Sequence, residues 1–504
     1  MQYPGKPGTR GGDCIPNNRS IPGVHMFDTK FRQVALWMAI WLMAPSAGTA
    51  GVPHYSVSSD KNLEYLDVRA CFDGALPRRL STSSERAPEL MRKALLQRRD
   101  GAVELTPQGT ELVLSSAGDK ACIHYQVDLS VIGMRQWRSG NWRTRDAIVL
   151  DPALWLWLPD NLREQPIRLD FELPPGYDVS APWERKISSD TVSFEVRERM
   201  PGFEARMAIG RFSVELIELA GGRMRYALLP GEPAPDAAAL RRWITSGARA
   251  LISTYGHMPV PEVQLLVVPI GQGNEPVPWG EVQRGGGDAV HLYIDQRLSE
   301  DAFMDDWVLV HELSHLLHPF IDSHDRWLPE GIASYYQNVL RARAEMKTAQ
   351  YAWDRLHAGF ERGIRGTPSG RSLAEVSETM MRDRSFMRVY WSGAAMALLA
   401  DVALRQRTGG EQSLDTALAA LHDCCLPSER SWSARELMQK LDRLTGTTIF
   451  MDLYRKHVDS DQFPELGAVY AELGLQPVSA NRLRLDTTAP YAAICEQIMA
   501  VPEG

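Results

Sequence analysis

Residues 307–319 read Trp-Val-Leu-Val-His-Glu-Leu-Ser-His-Leu-Leu-His-Pro, and this stretch constrains the chain more than any other. His311 and His315 stand four apart, so on a helix they share one face, one turn apart. Both imidazoles can then bind a single zinc ion. Glu312 is rotated by about 100° from His311 and can serve as general base beside an open metal position. The flanking Trp307, Val308, Leu309, Val310, Leu313, Leu316 and Leu317 make this helix apolar nearly all round, as a buried helix is. Two histidines and a glutamate on a buried helix need partners, and a metal supplies one. The alternative is a pair of core histidines satisfied by backbone carbonyls.

A single helix is expected over 299–319. Ser299 caps it, Glu300, Asp301, Asp305 and Asp306 crowd its early turns, and Pro319 ends it. A catalytic zinc site takes three protein ligands and one open position. The strongest third candidate is Glu330, in Trp327-Leu328-Pro329-Glu330-Gly331-Ile332-Ala333-Ser334-Tyr335-Tyr336, which begins a second helix running to about residue 346. Fourteen residues separate it from His315. His318, Asp322, His324 and Asp325 are its rivals. A metzincin would need a histidine at 321, where this chain has Ile321.

The two segments together resemble the gluzincin metallopeptidases, and among them the aminopeptidase N and glycyl aminopeptidase families. That resemblance implies that Glu330, in the Trp-x-x-Glu-Gly position, is the third zinc ligand, reached through a shortened loop. Further on, Val389-Tyr390-Trp391-Ser392-Gly393 resembles the Tyr-x-x-Gly helix of these families. By resemblance Tyr390 would donate to the oxyanion formed on the scissile carbonyl; by residues alone it reads as a buried structural tyrosine. One departure stands out. The aminopeptidase N family grips the substrate amine with a Gly-x-Met-Glu-Asn segment, which is missing upstream of 290. Asp288 or Glu281 could take that part.

The rest of the chain is read as a multidomain frame: a β-sandwich N-terminal domain, an α+β thermolysin-like catalytic domain and an α-helical C-terminal domain. Its 504 residues suffice for about three to four domains. Residues 1–50 read as an extension and secretory signal peptide. Lys30 and Arg32 precede an apolar run over 34–44, Pro45 breaks it, and small residues follow. The run is shorter than the about 20 residues a spanning helix needs. An exported protein, periplasmic or secreted, is therefore expected, without stable membrane insertion once the signal is cleaved; an uncleaved anchor is the alternative. Residues 51–232 show short alternating strands, including 212–216. Their Trp137, Trp142, Trp155, Trp157 and Trp183 suit core packing better than a sugar platform. After a linker at 231–235, the catalytic domain spans 233–345, with a helix over 236–255, a buried strand over 263–269, a Gly/Pro-rich loop over 272–287 and a strand over 290–294. A helical domain over 346–475 and a C-terminal tail over 476–504 complete the chain. The glycines of the loop lack the strand–loop–helix context of a phosphate cradle.

A net charge of −8 argues against a nucleic-acid partner. Five cysteines follow the leader, so at least one is unpaired within the chain. Cys71 could bridge Cys122, and Cys424 or Cys425 could reach Cys495. The reading that unites these features is an exported peptidase using one zinc ion, held by His311, His315 and Glu330, with a peptide or protein substrate. Glu312 would act as general base, Tyr390 as oxyanion donor, and the 290–294 strand would pair with the substrate backbone, with Asp288 and either His291 and Tyr293 or the alternate residues of the strand lining the cleft. An aminopeptidase-like activity is expected; an endopeptidase or a non-catalytic zinc-binding interaction protein is the alternative. The oligomeric state is left open.

Overall fold

A computed structural model describes residues 52–99, 101–114, 119–132, 141–160, 166–188, 191–197 and 204–502. The expected leader, Cys14 and Trp137 lie outside these residues.

Strand alternation organises the N-terminal half. An eight-stranded sheet is built around His54–Ser59, Tyr65–Ala75 and Asp119–Asp128, and its one parallel pairing joins His54–Ser59 to Ile167–Glu172. Alternate residues of this sheet, among them Tyr55, Leu66, Phe171 and Phe194, share one core with Ile148, Leu150, Met207 and Ile209 of a four-stranded sheet. Two sheets closing on a common core is the sandwich arrangement. Trp155, Trp157 and Trp183 lie in that core, so they pack rather than face solvent. Cys71 and Cys122 sit opposite each other on neighbouring strands and form a disulfide, with Cα atoms 4.1 Å apart.

A second sheet follows: β1 (Val214–Leu219), β2 (Gly222–Leu228), β3 (Glu262–Pro269), β4 (Trp279–Gln283) and β5 (Ala289–Ile294). Its spatial order is β1-β2-β3-β5-β4, parallel across β2-β3-β5 and antiparallel at both edges. Two sequence expectations are corrected here. The β1–β2 hairpin pairs with β3 and so belongs to this sheet, not to the sandwich. Alternation reveals a strand but not its partner. The 272–287 segment is not all loop, because it contains β4, whose five residues are masked by glycines and prolines on either side.

Helix α1 (Ala237–Ile252) is capped by Asp236, which accepts from the Ala239 amide at 3.0 Å. Its Trp243, Ile244 and Leu251 cover Leu265, Val267 and Leu292 on one face of the sheet. Leu266, Val268 and Tyr293 on the opposite face pack with Trp142, Val149 and Ala208 of the sandwich. The sheet is thus buried on both sides, which explains the continuous apolar run of β3.

The helix expected over 299–319 is two helices, α2 (Glu300–Asp305) and α3 (Val308–Ser314). Ser299 caps only the first. Asp306 interrupts the run and starts the second, its Oδ1 accepting from the Val308 amide at 2.7 Å. Four helices then matter for the site: α4 (Trp327–Arg343), α5 (Ala349–Arg365), α6 (Leu373–Asp383) and α7 (Phe386–Thr408). The C-terminal residues expected as a tail are structured. A hairpin of Leu475–Ser479 and Arg482–Leu485 and a helix over Ala492–Met499 close the core, and Arg343 Nε donates to the Ile498 carbonyl at 3.0 Å. Cys424 pairs with Cys425, leaving Cys495 free and buried, so the expected bridge to Cys495 is not formed. Among the described residues, no helix is long and apolar enough to cross a membrane.

Candidate metal centre

Every residue of α3 is buried, as its apolar flanks require. The helix lies against the second sheet and against α4. His311 on this helix and His315, which opens the 3-10 turn continuing it, lie with rings perpendicular and centroids 5.0 Å apart. Glu330, in the first turn of α4, points between them: its Oε2 is 3.2 Å from His311 Nε2 and 3.7 Å from His315 Nε2. One ligand atom from each of the three residues falls within 4.8 Å of the others, a spacing at which one metal ion could be held.

The surroundings aim these groups. His311 Nδ1–H donates to Gln337 Oε1 at 2.7 Å, which fixes the ring so that Nε2 is the nitrogen that faces Glu330 and would serve a metal. Gln337 lies two helical turns beyond Glu330 on α4; its seven-residue spacing from Glu330 was the available sequence signal, and it was missed. Tyr390, on α7, stacks on His311 with centroids 6.0 Å apart and planes inclined by 5°. Trp307 meets the same ring edge-on at 5.4 Å. Arg284 was also missed. It follows β4, and its Nη2 donates to the carbonyls of His315 and His318 at 2.7 and 3.1 Å, satisfying the end of the histidine-bearing helix.

Electrostatics separate the roles. Burial pushes the Glu312 carboxyl up to about 8, and the charges of Glu330 and Glu281 add to the rise while His311 opposes it. Burial also drives His315 well below the ordinary imidazole value, with His311 adding to the fall. For His311, burial acts downward but Glu330, Glu312 and Gln337 outweigh it, so the net shift is upward. Tyr390 is held well above its usual value by burial and by Glu330 and Glu312, so its hydroxyl keeps its proton. Glu312 itself is pressed by the sheet edge: a Cβ on Gly280 would lie 2.6 Å from Glu312 Cγ. Only glycine at 280 lets β4 approach that closely.

The remaining sequence candidates lie elsewhere. β5 is interior to the sheet, flanked by β3 and β4, so it has no free edge for a substrate backbone. His291 and Tyr293 point to the sandwich side and are fully buried. The His291 ring nitrogens lie 3.3 Å from Glu281 Oε1 and 3.3 Å from Gln264 Oε1. Their cleft-lining placement is therefore corrected: the free edge is that of β4. Asp288 is ion-paired with Arg284 at 2.6 Å. Of the rival ligands, His318 is turned to the Pro319 carbonyl, His324 is exposed near Glu378, and Asp325 accepts from the Ala434 amide.

No protein-family description and no curated protein matches this chain. Solved structures do. An aminopeptidase N family protein from Idiomarina loihiensis superposes with a TM-score of 0.67 at 14% identity, over 84% of this chain and 78% of that one. A two-domain M1 zinc metallopeptidase variant bound to L-arginine superposes at 0.51 with 16% identity, over 83% of this chain and 96% of that one. At these identities the likeness is one of fold: a multidomain frame of mixed sheets and helices shared with the M1 zinc metallopeptidases.

Proposed function

We propose that this protein is a zinc-dependent peptidase. The observation that carries the reading is the convergence of His311, His315 and Glu330 on one point of a buried helix pair. Two imidazoles and a carboxylate are the donor set of catalytic zinc, and Gln337 orients one imidazole as metal-site partners do. The M1 zinc metallopeptidase fold supports the same conclusion. One zinc ion, when bound, would supply Lewis acidity towards a carbonyl and lower the pKa of water.

The chain's own residues supply the rest. Glu312 is adjacent to His311 and takes a proton from the attacking water. As the neutral acid it can then pass that proton to the leaving amine. Tyr390 keeps its hydroxyl proton over His311 and donates to the oxyanion. The free edge of β4 pairs with extended substrate backbone, and Gly280 keeps that edge beside Glu312. Glu281, on the same strand, remains ionised because His291 and Arg206 outweigh its burial. Both candidate carboxylates have partners, Glu281 in His291 and Arg206 and Asp288 in Arg284, but the pairing of Glu281 is the looser and its charge is felt at Glu312. Glu281 is therefore the residue we assign to the substrate's free amine, which makes the activity aminopeptidase-like. Export is proposed on the leader-like composition of 1–50 and on the Cys71–Cys122 bridge, a feature of oxidising compartments.

The test is a mixed peptide library incubated with the purified protein and with Glu312→Gln, products being read by mass spectrometry. Glu312-dependent loss of single N-terminal residues is expected. Internal cuts would make the protein an endopeptidase. With no Glu312-dependent cleavage, a zinc-binding interaction protein becomes the better reading. Zinc should remain stoichiometric in Glu312→Gln and be lost in Glu330→Ala.

A further inference from the structure

A cavity of about 230 Å³ lies beside the metal centre, between α4, α5 and α7. Three of its wall residues, Trp307, Gln337 and Tyr390, also touch His311. The other wall is cationic. Arg341, Arg355 and Arg362 line it, against one carboxylate, Asp305. Asp305 is already ion-paired with Lys347, and its carbonyl accepts from Arg341. Among the described residues, no carboxylate forms an ion pair with Arg355 or Arg362. Arg341 is 2% exposed, and its Nε is buried without a hydrogen-bond partner. In a chain of net charge −8, this excess of positive charge is local to the candidate site.

Aromatic rings hold the guanidiniums in place. Arg362 lies over the Trp391 ring at 5.0 Å, and Arg341 and Arg355 lie over Tyr351 at 5.9 and 6.0 Å. Stacking of this kind leaves the N–H forks of Arg355 and Arg362 available to a planar anion, whereas one Nη of Arg341 is spent on the Asp305 carbonyl. A carboxylate matches that fork with two parallel hydrogen bonds. The cavity is smaller than the roughly 300–1,000 Å³ of a typical small-molecule site, a size that suits one side chain or chain end.

We propose that this cavity binds a carboxylate of the substrate peptide, so that turnover favours peptides carrying an anionic group near the cut bond. The proposal rests on the peptidase reading above. The carboxylate is either an acidic side chain or the peptide's C-terminus, and the substrates distinguish them. One arm compares glutamate with glutamine at each position; the other compares a free C-terminus with its amide. A preference in kcat/KM of about tenfold or more is expected in one arm, carried mainly by KM. That ratio should fall towards one in Arg355→Gln and in Arg355→Gln/Arg362→Gln, and be partly kept in Arg355→Lys. Arg355 is exposed, so its single variant tests the idea without threatening the fold. Binding of the same peptides to zinc-loaded Glu312→Gln, measured by calorimetry, separates the two claims. Cleavage without carboxylate preference, or a preference surviving the double substitution, overturns the cavity assignment and leaves the peptidase. Arginine-dependent binding without cleavage by the unsubstituted protein does the reverse. Neither cleavage nor carboxylate-dependent binding overturns both.

Discussion

Gly331 of α4 and Gly393 of α7 meet backbone to backbone: a Cβ built on Gly331 would lie 2.3 Å from the Gly393 Cα, and one on Gly393 only 1.8 Å from the Trp327 carbonyl oxygen. The crossing carries the site. Glu330 precedes one glycine directly and Tyr390 precedes the other by three positions, so close approach brings both side chains to His311. Gly393→Ala should force the helices apart. Overpacking costs about 1–3 kcal/mol, and more where backbone must yield. We expect lower unfolding stability in urea together with weaker zinc binding. Unchanged zinc affinity would mean the crossing does not position Glu330.

Gln337→Leu removes the acceptor that holds the His311 ring. Loss of such a partner typically weakens metal binding by about 10–100-fold. A competition titration against a zinc chelator reads this directly, and a variant that binds as tightly as the parent would refute the orienting role.

Arg284→Met deprives the His315 and His318 carbonyls of their shared donor and leaves Asp288 unpaired. Hydrogen bonds to charged groups are worth about 1.5–3 kcal/mol. The expected result is a loss of that order in unfolding stability. Arg284→Lys should restore part of it, because a single ammonium can reach one carbonyl but lacks the fork.

Asp306 gives a pH signature. Burial pushes its carboxyl up to about 7, although the Val308 and Leu309 amides and Arg341 oppose the rise. Unfolded, it titrates near its ordinary value of about 3.9. Between those values the folded chain holds the extra proton, so this group's stabilisation is complete below about pH 4 and is lost as pH rises through about 7. The limiting slope is about 1.4 kcal/mol per pH unit. Asp306→Asn keeps an acceptor for the Val308 amide and should remove that slope from the variant, so that the parent loses stability relative to the variant as pH rises from about 4 to about 7. Parallel pH profiles for the two proteins would show that Asp306 does not titrate in this range.

The histidine pair, Glu312 and the segment carrying Glu330 were legible as residues because helical geometry is local: four residues make a turn whatever surrounds them. The same holds for α1 with its Asp236 cap and for the buried β3. Asp306 was misread for an equally local reason. An aspartate in a first turn and an aspartate starting a new helix look alike until the backbone is seen to break. The 279–283 strand escaped notice because glycine and proline on its flanks signal loop, while its pairing with β5 comes from residues ten or so positions away.

The sequence by itself determined the donor types, the one-turn spacing of the two histidines and the apolar character that buries them. Only the tertiary structure decided which strand presents a free edge, that His291 and Tyr293 face the sandwich, and that Gln337 and Arg284 steady the histidines. It also decided that Arg341, Arg355 and Arg362 gather next to Tyr390. The physical reason is range. Periodicity and capping act over one or two turns and can be read along the chain. Sheet order, helix crossing and the pooling of charge depend on contacts between segments far apart in sequence, which no local pattern encodes.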